Sequence, residues 1–282
     1  MLELINVNKE FYEGFKIEDL SFKLEPGYIM GFIGPNGSGK STTIKLIMNL
    51  LKLDSGEIKI FGKDHVKHEV EIKNRIGFVY DQSYFYENLS IEEMKNVIAP
   101  FYSQWNEEIF KKYLELFKLR SDSQIKKLSK GMKTQFAIAL ALSHNADLII
   151  MDEPTAGLDP VIRREVLDLL YNIIQDEKKS IFFSTHITTD LDKIADYITY
   201  IKEGKLVFSK SMEDVMESYA LIKGGPNQLN DDIKKNIMGL RETNVGFEAL
   251  TDNPKEIESI VGEDILIERP TLEDIMYYTR GE

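Results

Sequence analysis

The sequence predicts an α/β protein in which a strand-rich nucleotide core is interrupted by a block of helices. Three observations carry that expectation. The apolar run Tyr28 to Ile33 leads through Gly34-Pro-Asn-Gly-Ser-Gly-Lys-Ser41 into the helix-like run Thr42 to Leu51. A second apolar run, Leu148-Ile-Ile-Met151, ends in the carboxylate pair Asp152-Glu153. Between them, residues from about Ser90 to Ala146 show helical spacing, in Ile109, Phe110, Tyr113, Leu114 and Phe117 and again in Phe136, Ile138, Ala139, Leu140 and Leu142.

The elements follow in order. Leu2 to Val7 and Ile17 to Leu24 read as strands, the second closed by the Glu25-Pro26-Gly27 turn. Tyr28 to Ile33 is apolar almost throughout, as a strand buried on both faces requires. Ser55 to Gly62 alternates, which suits a half-exposed strand, and Arg75 to Tyr80 is another strand. Strand chemistry returns at Ser180 to Ser184, after a helix whose apolar face is Val161, Val166, Leu169, Leu170 and Ile173. Tyr197 to Ile201 and Leu206 to Ser209 flank Glu203-Gly204, a hairpin signal. After about Met216 the pattern weakens, and Lys223-Gly-Gly-Pro-Asn-Gln breaks the chain. The expected division is residues 1–215 as the nucleotide domain, with its helical insert at about 84–146, and residues 216–282 as a small α/β appendage. That appendage is marginal in size for a core of its own.

Composition narrows the function classes. The chain has 282 residues, 43% hydrophobic and 29% charged, which describes one large globular domain plus a small one. No apolar run approaches the ~20 residues that span a bilayer. The start, Met-Leu-Glu-Leu-Ile-Asn, lacks the basic and apolar regions of a signal peptide. Zero cysteines exclude disulfides and cysteine-ligated zinc and fit a reducing compartment. A net charge of -12 repels a polyphosphate backbone, so nucleic acid is not an expected partner. His65 and His68, followed by Glu69 and Glu71, read as a solvated charged segment rather than a metal site.

Residues 34–41 fit G-x-x-x-x-G-K-[ST] between strand and helix, the phosphate-cradling loop. Gly34, Gly37 and Gly39 are expected to adopt positive φ and admit phosphate without a Cβ in the way. After Pro35, which has no N–H to give, the backbone N–H groups of Asn36, Gly37 and Ser38 and on into Thr42 then form an anion nest at the positive end of the following helix. Lys40 supplies charge for the β- and γ-phosphates, and the Ser41 hydroxyl is a Mg²⁺ ligand. Asp152 would hold the same Mg²⁺, directly or through water, and Glu153 would polarise an attacking water. These residues point to a bound nucleoside triphosphate.

The order of motifs resembles the ATP-binding cassette (ABC) ATPase family along about the first 215 residues. Gln82, after Phe78-Val79-Tyr80, matches the Q-loop, with roles at Mg²⁺ and in catalysis. Leu128-Ser129-Lys130-Gly131-Met132 occupies the signature position, with Ser129 as a helix N-cap and Gly131 beside it. Ala156-Gly157-Leu158-Asp159 looks like the D-loop, and His186 like the H-loop histidine that senses the γ-phosphate. Phe11 is the expected adenine-stacking aromatic, with Tyr12 as runner-up. The family's LSGGQ is altered here by Lys130 and Met132.

The resemblance implies a RecA-like P-loop NTPase core with an antiparallel β subdomain and an inserted α-helical subdomain. It implies an ATPase using ATP and Mg²⁺, and a head-to-tail dimer with a second ABC subunit, homodimer or paralogue, in which each signature closes on the other's nucleotide. It also implies an integral-membrane permease as partner, at the cytoplasmic face of the membrane. Tyr84, Phe85, Tyr86, Phe101, Tyr102 and Trp105 lie where the family receives a helix of that permease. The stretch Arg269 to Tyr278 looks like tails of bacterial exporters of drugs or peptides. The alternative is a soluble ABC ATPase acting on ribosomes or DNA; one motif set, no cysteine and the acidic charge weigh against it.

Overall fold

The structure, a computed structural model, describes residues 1–12, 14–81, 84–261 and 265–279. It forms two compact units, Met1–Ile187 with Thr199–Ser209, and Thr188–Ile198 with Lys210–Glu282. The second unit therefore starts at Lys210 and takes in Thr188–Ile198, a segment that sequence pattern assigns to the nucleotide domain.

The first unit opens with β1 (Leu2–Glu10), β2 (Lys16–Leu24), β3 (Ile29–Ile33) and α1 (Lys40–Ile47). There follow β4 (Ser55–Ile60), β5 (Lys63–Asp64), α2 (Glu69–Lys73) and β6 (Ile76–Val79). The helical insert holds α3 (Ile91–Ile98), α4 (Glu107–Leu116) and α5 (Lys130–Leu142). The chain then returns to the sheet through β7 (Leu148–Asp152), α6 (Pro160–Ile173) and β8 (Ser180–Thr185). After α7 (Thr188–Ile194) come β9 (Tyr197–Lys202) and β10 (Lys205–Ser211).

These strands make one sheet, in the order β5-β4-β1-β2-β10-β9-β3-β8-β7-β6. Strands β3, β8, β7 and β6 run parallel, while β1 pairs antiparallel with β2 and β4. All residues of β3, β7 and β8 are buried, which is why β3 and Leu148–Met151 of β7 read as apolar runs, while β8 keeps Ser180, Ser184 and Thr185 buried as well. Three rings knit the antiparallel part to the parallel part. Phe22 of β2 lies parallel to Phe182 of β8 at 5.7 Å, and Phe32 of β3 sits 5.2 Å from Phe182.

Each of the insert's helices starts on a side-chain cap. Ser90 and Glu93 form a capping box for α3, the Asn106 side chain caps α4, and the Ser129 hydroxyl caps α5. Phe136 of α5 is fully buried between Phe85 at 4.9 Å and Phe110 at 6.4 Å. In α6 the expected apolar face is shifted. Val161 is exposed, and the buried residues are Val166, Leu167 and Leu170, because the helix turns its first residues to solvent.

The second unit adds α8 (Met212–Ser218), β11 (Ala220–Gly224), α9 (Asp231–Lys235), β12 (Gly239–Thr243), β13 (Gly246–Thr251), α10 (Pro254–Ile260), β14 (Leu266–Glu268) and α11 (Leu272–Tyr278). Its four strands are antiparallel, in the order β12-β13-β11-β14. Counted within the unit, this is a βαββαβ chain with strand order 2-3-1-4, the split βαβ pattern of ferredoxin-like folds. Its core gathers Ile222, Phe247 and Ala249 from the sheet against Ile233 of α9 and Ile257 of α10.

Truncating the central ring, Phe182→Ala, should cost about 3–5 kcal/mol of stability through the cavity it leaves. The urea midpoint of the intact chain checks this. An unchanged midpoint would mean that the three rings do not join the two parts of the sheet.

Candidate nucleotide site

The phosphate loop folds as its sequence requires, with one correction. Gly37 and Gly39 have φ of +80° and +107°, whereas Gly34 does not adopt positive φ. Gly34 is needed because a Cβ there would collide with the Ile201 carbonyl of β9 and lie 2.5 Å from Ser38 Oγ. The loop is closed by the Ser38 N–H donating to the Pro35 carbonyl at 3.1 Å and the Gly204 N–H donating to the Ser38 carbonyl at 2.9 Å. Helix α1 begins after Gly39 with no side-chain cap, so its first N–H groups and the positive end of its dipole are left for a ligand.

That helix end opens into a cavity of about 670 Å³. Its wall includes Asn36, Gly37, Gly39, Lys40, Ser41 and Thr42, faced by Glu153, Ala156 and His186. Lys40 is buried, and its ammonium donates to the Gly34 carbonyl at 2.7 Å and lies 3.9 Å from Glu153 Oε1. Burial lowers its pKa from the ordinary lysine value, and the charges of Glu153 and Asp152 offset this in part.

The two carboxylates at the end of β7 do different things. Asp152 is 1% exposed; its Oδ1 accepts from Ser184 Oγ at 2.5 Å, and its Oδ2 is buried without a partner. A buried carboxylate oxygen in that state is costly unless a cation or donor reaches it. Glu153 sits just beyond the strand with φ of +51°, a left-handed conformation unusual for a side-chain-bearing residue. Its backbone N–H donates to the Ser184 carbonyl at 3.0 Å, while Oε2 accepts from the His186 N–H at 3.3 Å and lies 2.7 Å from His186 Nδ1. The imidazole is thus steered by the carboxylate, with Nε2 left for another partner.

Asp152 and Ser41 supply a carboxylate oxygen and a hydroxyl, a donor set suited to Mg²⁺ completed by water and phosphate oxygens. Among the described residues no cluster of three or more His, Cys, Asp or Glu could enclose a metal alone. The segment is not solvated throughout, as its charge pattern suggested: His65 is buried with Nδ1 3.2 Å from the Ile58 carbonyl, while His68 stays partly exposed 3.8 Å from Glu71 Oε2.

Other expected residues stand elsewhere. Phe15, just before β2, lines the cavity; Phe11 packs beside it at 6.1 Å, and Tyr12 is fully exposed. The turn is closed by the Phe11 N–H donating to the Phe15 carbonyl, so the two rings flank one hairpin and only the second faces the loop. Ser129 caps α5 through the Met132 N–H at 3.2 Å; Lys130 lines the cavity, whereas Ser129 and Gly131 do not. Asp159 caps α6 by accepting from the Val161 and Ile162 N–H groups. Gln82 lies outside the described residues, and its neighbour Asp81, which the sequence did not single out, lines the cavity.

The aromatics of the insert divide. Tyr84, Tyr86 and Phe101 are exposed, while Tyr102 stacks on His144 at 3.8 Å and Trp105 packs on Phe110 at 5.4 Å. A mainly apolar groove of about 510 Å³ takes in Tyr84 and Phe85 of this group, with Leu50, Leu51, Phe78 and Tyr80 among its other walls.

Comparison with known proteins accords with this geometry. The family model described as ABC transporter matches residues 17–156. The bacitracin transport ATP-binding protein BcrA of Bacillus licheniformis is 34% identical over 209 residues, covering 73% of this chain and 68% of BcrA. A solved structure of the ATP-binding subunit of an ABC transporter is 28% identical, with a TM-score of 0.71 over 77% of this chain and 92% of its own. A dimeric, post-hydrolysis ATP-binding cassette bound to ADP and Pi shares the fold, at 24% identity and a TM-score of 0.67 over 75% and 99% of the two chains. The chain belongs to the ABC transporter ATP-binding family and is an ATPase of that family.

Proposed function

We propose that two ABC subunits, this chain paired with a copy or a paralogue, hydrolyse Mg·ATP between them and drive a separate membrane permease. The observation that carries the reading is the convergence of Lys40, Asp152, Glu153 and His186 on the uncapped end of α1. The loop N–H groups and Lys40 bind and orient the phosphates, and Phe15 rather than Phe11 stacks on the base. Mg²⁺, held through Ser41 and Asp152 and by Gln82 where the Q-loop resemblance applies, offsets phosphate charge. Glu153 takes the proton of the attacking water, and His186, positioned by Glu153, contacts the terminal phosphate. Ser129, Gly131 and Asp159 serve the facing copy's nucleotide, since the exposed start of α5 has no phosphate loop of its own.

No helix among the described residues is long and apolar enough to cross a membrane. The groove beside Tyr84 and Phe85 supports docking of an apolar permease helix. On this reading the chain works at the cytoplasmic face of the membrane. The likeness to a bacitracin transport protein favours export of a drug-like or peptide cargo.

Glu153→Gln should leave ATP binding intact, cut turnover by about 10²–10⁴-fold and accumulate an ATP-bound dimer. Chromatography with Mg·ATP that shows only monomer, together with undiminished hydrolysis, would overturn the reading. Phe15→Ala should weaken nucleotide affinity by about 1–3 kcal/mol, with a much smaller effect from Phe11→Ala, read by calorimetry. Equal effects would remove Phe15 from the base. Tyr84→Asp should reduce the amount of permease that co-purifies with the chain, and equal recovery would argue against the groove as the docking site.

A further inference from the structure

Strand β8 buries three hydroxyls, and they are used differently. Ser180 Oγ donates to the Glu25 carbonyl at 3.1 Å, and Thr185 Oγ1 accepts from the Ile187 N–H at 2.9 Å. Both of these fasten turns of the backbone. Ser184 fastens a side chain instead. It is fully buried, opposite Asp152 in the parallel ladder, and its hydroxyl donates to Asp152 Oδ1 at 2.5 Å. A buried hydroxyl costs free energy unless it is hydrogen-bonded, and here the carboxylate is what bonds it.

The bond decides how Asp152 presents itself. Rotation of a carboxylate about its Cβ–Cγ bond is soft, so rotamer preference alone does not fix which oxygen points where. A hydroxyl on Oδ1 at this distance makes a charge-assisted bond and holds that rotation. Oδ2 is then the oxygen left over, buried and without a partner among the described residues. Lys40 does not satisfy it, since its ammonium donates to the Gly34 and Pro35 carbonyls at 2.7 and 3.4 Å. An acceptor in this state suits a hard cation or a water bound to one.

Resting on the reading of Asp152 as a holder of Mg²⁺, we propose that Ser184 is a positioning residue of the metal site. Its hydroxyl occupies Oδ1 and so reserves Oδ2 for the cation or for a water on it. Ser184 acts through Asp152 and not on the nucleotide. Its loss therefore weakens what Mg²⁺ adds to nucleotide binding, and leaves binding without Mg²⁺ as it was.

The test is calorimetric titration of the full chain with a non-hydrolysable ATP analogue, once in Mg²⁺ and once in EDTA. The ratio of the two affinities is the gain that the metal brings. Ser184→Ala should cut that gain about tenfold, as loss of a group that orients a metal ligand does, with affinity in EDTA unchanged. Ser184→Thr, which keeps the hydroxyl, should restore the gain. In the Asp152→Asn background, Ser184→Ala should change nothing further. The proposal fails if Ser184→Ala keeps the full gain, or if its affinity falls equally in EDTA, the mark of a purely structural role. It fails as well if threonine does no better than alanine, or if the Ser184 effect survives Asp152→Asn. Asp152→Asn alone separates the two readings. If wild type shows no gain, or Asp152→Asn retains it, the assignment of Mg²⁺ to Asp152 falls; if Asp152→Asn loses the gain and Ser184→Ala does not, only the role of Ser184 falls.

Discussion

The site depends on the register between β7 and β8. Asp152 lies opposite Ser184 in the parallel ladder, so one pairing places the Ser184 hydroxyl on Asp152 and the Ser184 carbonyl on the Glu153 N–H. Two residues on, the same strand end presents His186 to the Glu153 carboxylate. A slip of one residue would reverse every side chain on β8 and remove both contacts at once. The fully buried strands resist that slip, because Phe182 and Phe183 have no alternative to the interior positions they fill.

The cost of this arrangement is concentrated at its end. Glu153 holds a left-handed backbone, which costs on the order of 1–3 kcal/mol for a residue with a Cβ. Asp152 keeps a carboxylate oxygen buried and unpartnered. Neither feature helps the chain fold. On the proposed reading, a polyanion and a cation would supply the missing interactions, and folding stability is given up at the place where binding would restore it. Lys40 follows the same logic, since its burial disfavours its charge until phosphate surrounds it.

What was legible in the sequence was local. The phosphate loop lies within eight consecutive residues, Asp152-Glu153 ends an apolar run, and Ser129 announces a helix start, so each depends on near neighbours alone. What was not legible depends on distant pairing. Phe11 and Phe15 are equivalent in sequence chemistry, and the hairpin between β1 and β2 decides which ring faces the loop. Gly34 looked like a torsional requirement and is instead a steric one, set by Ile201 of a strand more than a hundred residues away. Val161 read as apolar face because helical spacing fixes a stripe but not where along it contact with the sheet begins. The allotment of Thr188–Ile198 to the second unit is likewise invisible locally, since α7 packs against α11 from the far end of the chain.

The same distinction explains why the altered signature could not be read from pattern alone. Lysine in place of glycine at position 130 looks like a loss of close approach at a helix start. In three dimensions, the backbone there is ordinary helix and Ser129 still caps it, so the substitution costs the helix little. Its consequence falls on the cavity, through Asp81 at the end of a different strand, 3.4 Å from the ammonium, and Gly157 in a different loop. A residue's departure from a motif is therefore weighed by what its side chain meets across the fold, and here it meets the wall of a nucleotide site.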